Sequence, residues 1–380
     1  MSSERSLVVR GGVDATGAAV TVHLQRGVIV AAAPDDAPVF DASGLTVAPG
    51  LIDLQVNGAC GIDVTAEPER LWDIAAELPR FGVTAFAPTV ISSAPEARAR
   101  ALATLAAGPE EGWAGALPLG LHLEGPMLSP ARKGAHPERW LTLPSPDLIA
   151  GWSRAAGVLI ATLAPELPGA IDVIRTLADR GVVVSIGHTD ADSATVEAAV
   201  AAGAKMLTHL GNAMPPMQSR AAGPVGVALG GGSLVAGVIA DGLHLDASVV
   251  SAAWRCLGAA RFLSITDATA ALGVPEGPYR LGDHAVTVRD GSVRLADGTL
   301  AGSAASLPHC LRFLIESTGC TLAEALWTCT AVPASLIDDP GRGTLAVGSR
   351  GDLTLLDSSL NVAATIVGGA VVHQRATTCV

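Results

Sequence analysis

The sequence predicts an α/β protein: a (β/α)8 TIM-like barrel carrying a small β-sandwich domain formed by the N- and C-terminal segments. Three observations predict it. Strand-like apolar runs alternate with alanine-rich helical runs such as EARARALATLAA, AIDVIRTLADRG and SATVEAAVAAGA. The strand-like runs end near Gln55, Pro88, Glu124, Leu163, His188, His209, Ala240 and Asp267, and eight βα units close a barrel of about 250 residues or more. Both flanks instead read as short strands punctuated by Gly, Asp and Pro.

Residues 6–47 hold the β-prone segments LVVRGGV, VTVHLQRGVIVAA and GLTVAPG, and the tail from 344 holds GDLTLLD and AATIVGGAVV. Neither flank is large enough to fold well alone. Residues 1–49 and 345–380 are therefore expected to pair into one β-domain, with 50–344 forming the barrel. A doubly wound open sheet is the alternative, but no G-x-G-x-x-G follows the first strand. The glycines at 230–232 precede a strand and carry no P-loop lysine, so they read as a connector.

The composition narrows the function classes. Residues of the AVILMFWYC set make up 49% of the 380-residue chain and charged residues 16%, which excludes a disordered or charged fibrous protein. A net charge of −12 argues against nucleic acid and anionic membranes as partners. The most apolar stretch, Val225 to Ala240, is broken by glycines, and MSSERSLVVR lacks an apolar signal core, so a cytoplasmic protein is expected. Cys60, Cys256, Cys310, Cys320, Cys329 and Cys379 make no CxxC pair, which predicts reduced thiols.

Barrels of this kind place their active sites at the C-terminal ends of the strands. Glu124, His188, His209 and Asp267 sit at such ends. One glutamate and two histidines can hold a catalytic divalent metal and leave a position for water, although each alone also reads as a hydrogen-bonded rim residue. Asp267 is the natural acid/base beside them, or else a structural cap. His136, on the loop after the Glu124 strand, is either a donor to a developing oxyanion or a solvent-facing loop residue. His122 shares a strand face with Glu124 and is read as a supporting or packing residue. His23, His284, His309 and His373 are read as structural or surface residues.

The motifs APGLIDLQVNG (48–58), LHLEGPMLSPARKGAH (121–136), SIGHTDAD (185–192), THLGNAMPPMQSR (208–220), ADGLHLD (240–246), TDATAALG (266–273), DGTLAGSAASL (297–307) and GTLAVGSRGDLTLLD (343–357) run along nearly the whole chain. In order and spacing they resemble the N-acetylglucosamine-6-phosphate deacetylases of the amidohydrolase superfamily. The resemblance implies a hydrolase removing acetate from N-acetyl-D-glucosamine 6-phosphate. It implies Glu124, His188 and His209 as metal ligands, with Asp267 as acid/base and Ala135 and His136 meeting the substrate. Asn212, Ala213, Arg220, the turn Asp241, Gly242, Leu243 and His244, and Leu300, Ala301 and Gly302 would hold the sugar phosphate. A homodimer is implied too, with Arg220 or His244 serving the neighbouring subunit.

The wider superfamily commonly binds two metals through an H-x-H on the first strand and a carboxylated lysine on the fourth. Here the first strand offers Gln55 and Asn57, and the only lysines, Lys133 and Lys205, lie away from the fourth strand end. Neutral amides are poor zinc ligands beside imidazole. One divalent ion per subunit is expected, zinc first, with Fe2+ or another ion able to occupy the site. Two other readings stay open: a deacetylase of N-acetylgalactosamine 6-phosphate or a related N-acyl amino sugar, and a non-catalytic interaction protein on the same scaffold.

Overall fold

Long β-branched and aliphatic runs, buried on both faces, are what a parallel sheet covered by helices requires, and eight of them form the barrel wall in the computed structural model. The wall strands are β1 (Leu51–Val56), β2 (Val83–Ile91), β3 (Leu121–Glu124), β4 (Val158–Leu163), β5 (Val183–Ile186), β6 (Ala204–Leu207), β7 (Val235–Val238) and β8 (Phe262–Ser264). Each is parallel to the next. The ring closes just beyond β8, where Val56 and Ala268 form a parallel bridge and the Thr266 hydroxyl donates to Asp53 at 2.6 Å. The structure describes residues 6–376, so the start of MSSERSLVVR and Cys379 lie outside it.

Helices follow most strands, and their starts match side chains the sequence supplies. The carboxylates of Asp192 and Asp246 accept from the backbone N–H of Thr195 and Ser248, and the Ser306 hydroxyl from that of His309. Such caps satisfy N–H groups that a helix leaves unpaired. Helix Ala170–Asp179 buries Val173, Ile174 and Leu177 on one face. Among the described residues no helix is long and apolar enough to cross a membrane, and Cys60, Cys256, Cys310, Cys320 and Cys329 are free thiols.

The two flanks meet as expected. Strands from Ser6 to Pro49 and from Leu353 to Gln374 join in one eight-stranded sheet, with Leu353–Leu356 antiparallel to Thr46–Pro49. Its own core gathers Val9, Leu24, Val47, Leu353, Leu355 and Ile366. The sheet is tied to the barrel by the hydroxyls of Thr354 and Thr365, which donate to the carbonyls of Gly82 and Pro79 at 2.6 and 2.7 Å.

One element departs from the plain βα rhythm expected over 50–344. After β8 the chain forms an antiparallel sheet of β9 (Gly277–Leu281), β10 (His284–Arg289), β11 (Ser292–Arg294) and β12 (Leu300–Ser303). The alternating HAVTVRDGSVR, with Asp290-Gly291 at its turn, is a hairpin pattern. Leu281, Val286, Val288, Val293 and Ala301 form its core together with Ile91 and Ala271 of the barrel. This sheet lies at the mouth of the barrel.

Candidate active site

Glu124 ends β3, and His188 and His209 each lie two residues beyond the ends of β5 and β6. His209 Nε2 stands 3.1 Å from Glu124 Oε1 and 3.0 Å from His188 Nε2, and His188 Nε2 lies 3.4 Å from Glu124 Oε1. All three side chains are buried. His188, His209, Ala213 and Asp267 have φ values of 48, 31, 50 and 51°, a left-handed conformation rare outside glycine. Such residues cost about 1–3 kcal/mol each and cluster where surrounding packing holds a functional side chain in place.

The donor set fits a divalent cation. His188 Nδ1 lies 2.9 Å from the Arg132 carbonyl oxygen, an acceptor only, so Nδ1 carries a proton, and Nε2, which faces Glu124 and His209, is the atom that can lend a lone pair to a cation. These three residues are grouped closely enough to bind one ion. Burial pushes the Glu124 carboxyl up, but hydrogen bonds and charge from His188 and His209 outweigh it and hold Glu124 well below the ordinary carboxylate range. Glu124 is thus an anion, as a ligand must be.

Gln55 and Asn57 have a role that their sequence position did not reveal. Gln55 Nε2 donates to Glu124 Oε1 at 3.1 Å and to Asp267 Oδ1 at 3.0 Å, while its Oε1 accepts from the Thr208 hydroxyl at 2.6 Å. Asn57 Nδ2 donates to the same Asp267 oxygen at 2.7 Å. The two amides thus orient the Asp267 carboxylate. Asp267 is raised to about 6, chiefly by burial and then by the Glu124 charge. A carboxyl in that range both accepts and returns a proton near neutrality. Gly302 presses against Asp267 from β12: a Cβ there would lie 2.7 Å from the Asp267 carbonyl oxygen.

His136 is buried, not solvent-facing. Its Nδ1 accepts from the Ser92 backbone N–H at 3.2 Å and lies 2.9 Å from Ser92 Oγ. Burial, then the His188 charge, hold it well below the usual histidine range, so it is neutral. The proton therefore sits on Nε2, which faces the cavity 3.8 Å from Glu124 Oε2. Ser92 was not visible as a functional residue in sequence, since nothing in VISSAP marks it. His122 has both ring nitrogens occupied, by the Leu54 carbonyl at 3.0 Å and the Thr162 hydroxyl at 2.7 Å, so it braces the wall. Among the other histidines, His23 accepts from the Ala33 N–H at 3.3 Å and His309 Nε2 lies 3.1 Å from the Asp241 carbonyl.

The expected substrate contacts divide. Ala135, Asn212, Ala213, His244, Leu300 and Gly302 line the same cavity as Glu124, His188 and His209, and Asp241 supports His244 by accepting from its Nδ1 at 2.8 Å. Besides Asp241, four of the expected residues do not line the cavity. Leu243 is exposed, Gly242 packs near the Phe313 ring, and Ala301 is turned into the hairpin core. Arg220 is exposed on the turn closed by the Gln218–Ala221 bridge and does not line the cavity of its own chain.

A parallel barrel with Glu, His, His and Asp at the C-terminal strand ends defines a metal-dependent hydrolase, and the chain belongs to the amidohydrolase family, whose model matches residues 46–372. Within that family it is similar to the N-acetylglucosamine-6-phosphate deacetylase of Caenorhabditis elegans, 39% identical over 350 residues that cover 87% of this chain and 83% of the relative. Among solved structures it is similar to the N-acetylglucosamine-6-phosphate deacetylase of Pasteurella multocida, with a TM-score of 0.89 and 29% identity over 97% of this chain and 100% of that one. It also matches a mutant of the Mycobacterium smegmatis enzyme in complex with N-acetyl-D-glucosamine-6-phosphate, with a TM-score of 0.87 and 31% identity over 97% and 99% of the two chains.

Proposed function

We propose that the protein hydrolyses N-acetyl-D-glucosamine 6-phosphate to D-glucosamine 6-phosphate and acetate, in amino-sugar catabolism and cell-wall sugar recycling in the cytoplasm. The observation that carries this reading is the convergence of Glu124, His188 and His209 with Asp267 and a neutral, inward-facing His136 in one cavity. The relatives named above bear that activity in their names.

Glu124, His188 and His209 would hold one divalent ion, which we read as zinc, with ferrous iron the alternative; when bound, it supplies Lewis acidity that polarises the amide carbonyl and acidifies water. Asp267 takes a proton from the water as its oxygen adds to the acetamide carbon. His136 donates from Nε2 to the carbonyl oxygen as negative charge develops there. Asp267 then gives its proton to the amide nitrogen, the C–N bond breaks, and amine and acetate leave. An amide anion is a poor leaving group, so this returned proton is required. Gln55 and Asn57 keep Asp267 aimed at the reacting atoms.

Asn212, Ala213 and His244 are read as the sugar-phosphate side of the cavity. Arg220 is exposed and is not among the residues that line its own cavity, which supports a homodimer in which it serves the neighbouring subunit's phosphate. The test is steady-state kinetics on N-acetylated sugars with and without the 6-phosphate, using metal-quantified protein. The 6-phosphate of N-acetylglucosamine should be the preferred substrate. Preference for the galactosamine epimer, or no acetate release from any, would overturn the assignment.

A further inference from the structure

The cavity has an apolar side that the mechanism does not use. Ile91 ends β2 and lies in register beside Glu124 of β3, and Leu281 of β9 lines the same cavity. Both are nearly buried, at 5% and 4% exposure. In the ring of eight, β2 stands across from β6 and β7, whose following loops carry Asn212, Ala213 and His244. An acetamide held with its oxygen toward His136 and its nitrogen toward Asp267, with the sugar on the β6–β7 side, has one substituent left. That substituent, the methyl, is the one that an apolar wall of Ile91 and Leu281 suits.

This wall is closed and fixed. The Ile91 N–H donates to the Thr65 hydroxyl at 3.1 Å. The turn after Leu281 rests on Ile91: a Cβ at Gly282, whose φ is +53°, would come within 3.1 Å of Ile91 Cδ1. The Gly282 N–H donates to the buried carboxylate of Asp63 at 3.1 Å, and Trp140 Nε1 donates to Asp283 at 2.8 Å, with Arg139 paired to the same carboxylate. The turn is thus anchored to two other loops at the barrel mouth.

Resting on the deacetylase reading, we infer that Ile91 and Leu281 form the wall of an acyl subsite sized for a methyl group, so that the hairpin sheet sets which N-acyl groups the enzyme removes. A hydrophobic pocket discriminates one methylene by about 10–200-fold in kcat/KM. A longer acyl chain has to displace Ile91 or the anchored turn.

The test compares N-acetyl, N-propionyl and N-butanoyl glucosamine 6-phosphate as substrates of the metal-loaded wild type, Ile91→Ala and Leu281→Ala, following the free amine. In the wild type kcat/KM should fall at least ~10-fold for each added methylene. In each variant the butanoyl-to-acetyl ratio should rise at least ~10-fold as the wall recedes. Ile91→Val, one methyl smaller, replaces Ile91→Ala if that variant does not fold. A wild type that accepts butanoyl as well as acetyl, or folded variants with an unchanged ratio, would overturn the inference while leaving the deacetylase reading intact. A wild type without acetyl turnover would overturn the deacetylase reading itself.

Discussion

Asp267→Asn removes one proton acceptor and leaves the local scaffold able to persist. Both donors to the carboxylate, Gln55 Nε2 at 3.0 Å and Asn57 Nδ2 at 2.7 Å, reach the same oxygen, Oδ1. An asparagine carbonyl can accept both, so the side chain should stay in place with its amide nitrogen where the acid/base oxygen was. One general acid/base group is worth about 10²–10⁴ in rate, and kcat should fall by at least ~100-fold with metal content unchanged. The metal-free protein should respond in the opposite sense. Its Asp267 is raised from 3.8 to about 6, so between those values the folded chain holds a proton that the unfolded chain has released. Stability is therefore lost as pH rises through this window, by about 3 kcal/mol at the upper end. The variant escapes that loss and should be more stable than wild type above pH ~6. Acetate release, metal analysis and urea unfolding of stripped protein at pH 5 and pH 8 check the three statements. Turnover within tenfold of wild type would remove Asp267 from the role, and no stability gain at the higher pH would refute the electrostatic argument.

His188→Ala should lose metal and activity together, with kcat/KM down at least ~10³-fold for a lost Lewis acid; a fully metallated, active variant would refute the ligand assignment. Arg220→Ala should raise KM for the phosphorylated sugar and spare the unphosphorylated one, and equal effects on both would show that it is not a phosphate ligand. Ser92→Ala removes one of the two contacts on His136 Nδ1 and should lower kcat by about 2–10-fold, the worth of one hydrogen bond; unchanged kcat would mean the backbone N–H alone fixes the ring. Asp53 is raised to about 7, chiefly by burial, so stability should fall as pH rises from about 4 to about 7. Asp53→Asn should flatten that part of the stability profile, and an unaltered slope would contradict the assignment.

Much of the fold was legible because strand and helix periodicities are local. The strand ends at Glu124, Leu163 and Gln55 lie within a residue or so of the observed ones, and the pairing of the two flanks follows from neither having a core of its own. The hairpin sheet from Gly277 to Ser303 is the part that the βα rhythm does not reveal, although Asp290-Gly291 carries its turn. At the site, Glu124, His188, His209 and Asp267 stood out through residue type and strand-end position. Gln55, Asn57 and Ser92 did not, because hydrogen bonds between residues far apart in sequence leave no local pattern. Arg220 carried a functional expectation in sequence, yet it faces outward in the single chain.

The central claim is that one divalent ion, held by Glu124, His188 and His209, suffices for hydrolysis. Stripping the protein and restoring the metal in steps, with acetate release from N-acetyl-D-glucosamine 6-phosphate measured at each step, tests it directly. Activity should rise in proportion to bound metal and level off at one ion per chain. Full activity in the stripped protein, or a plateau reached only at two ions per chain, would contradict the account.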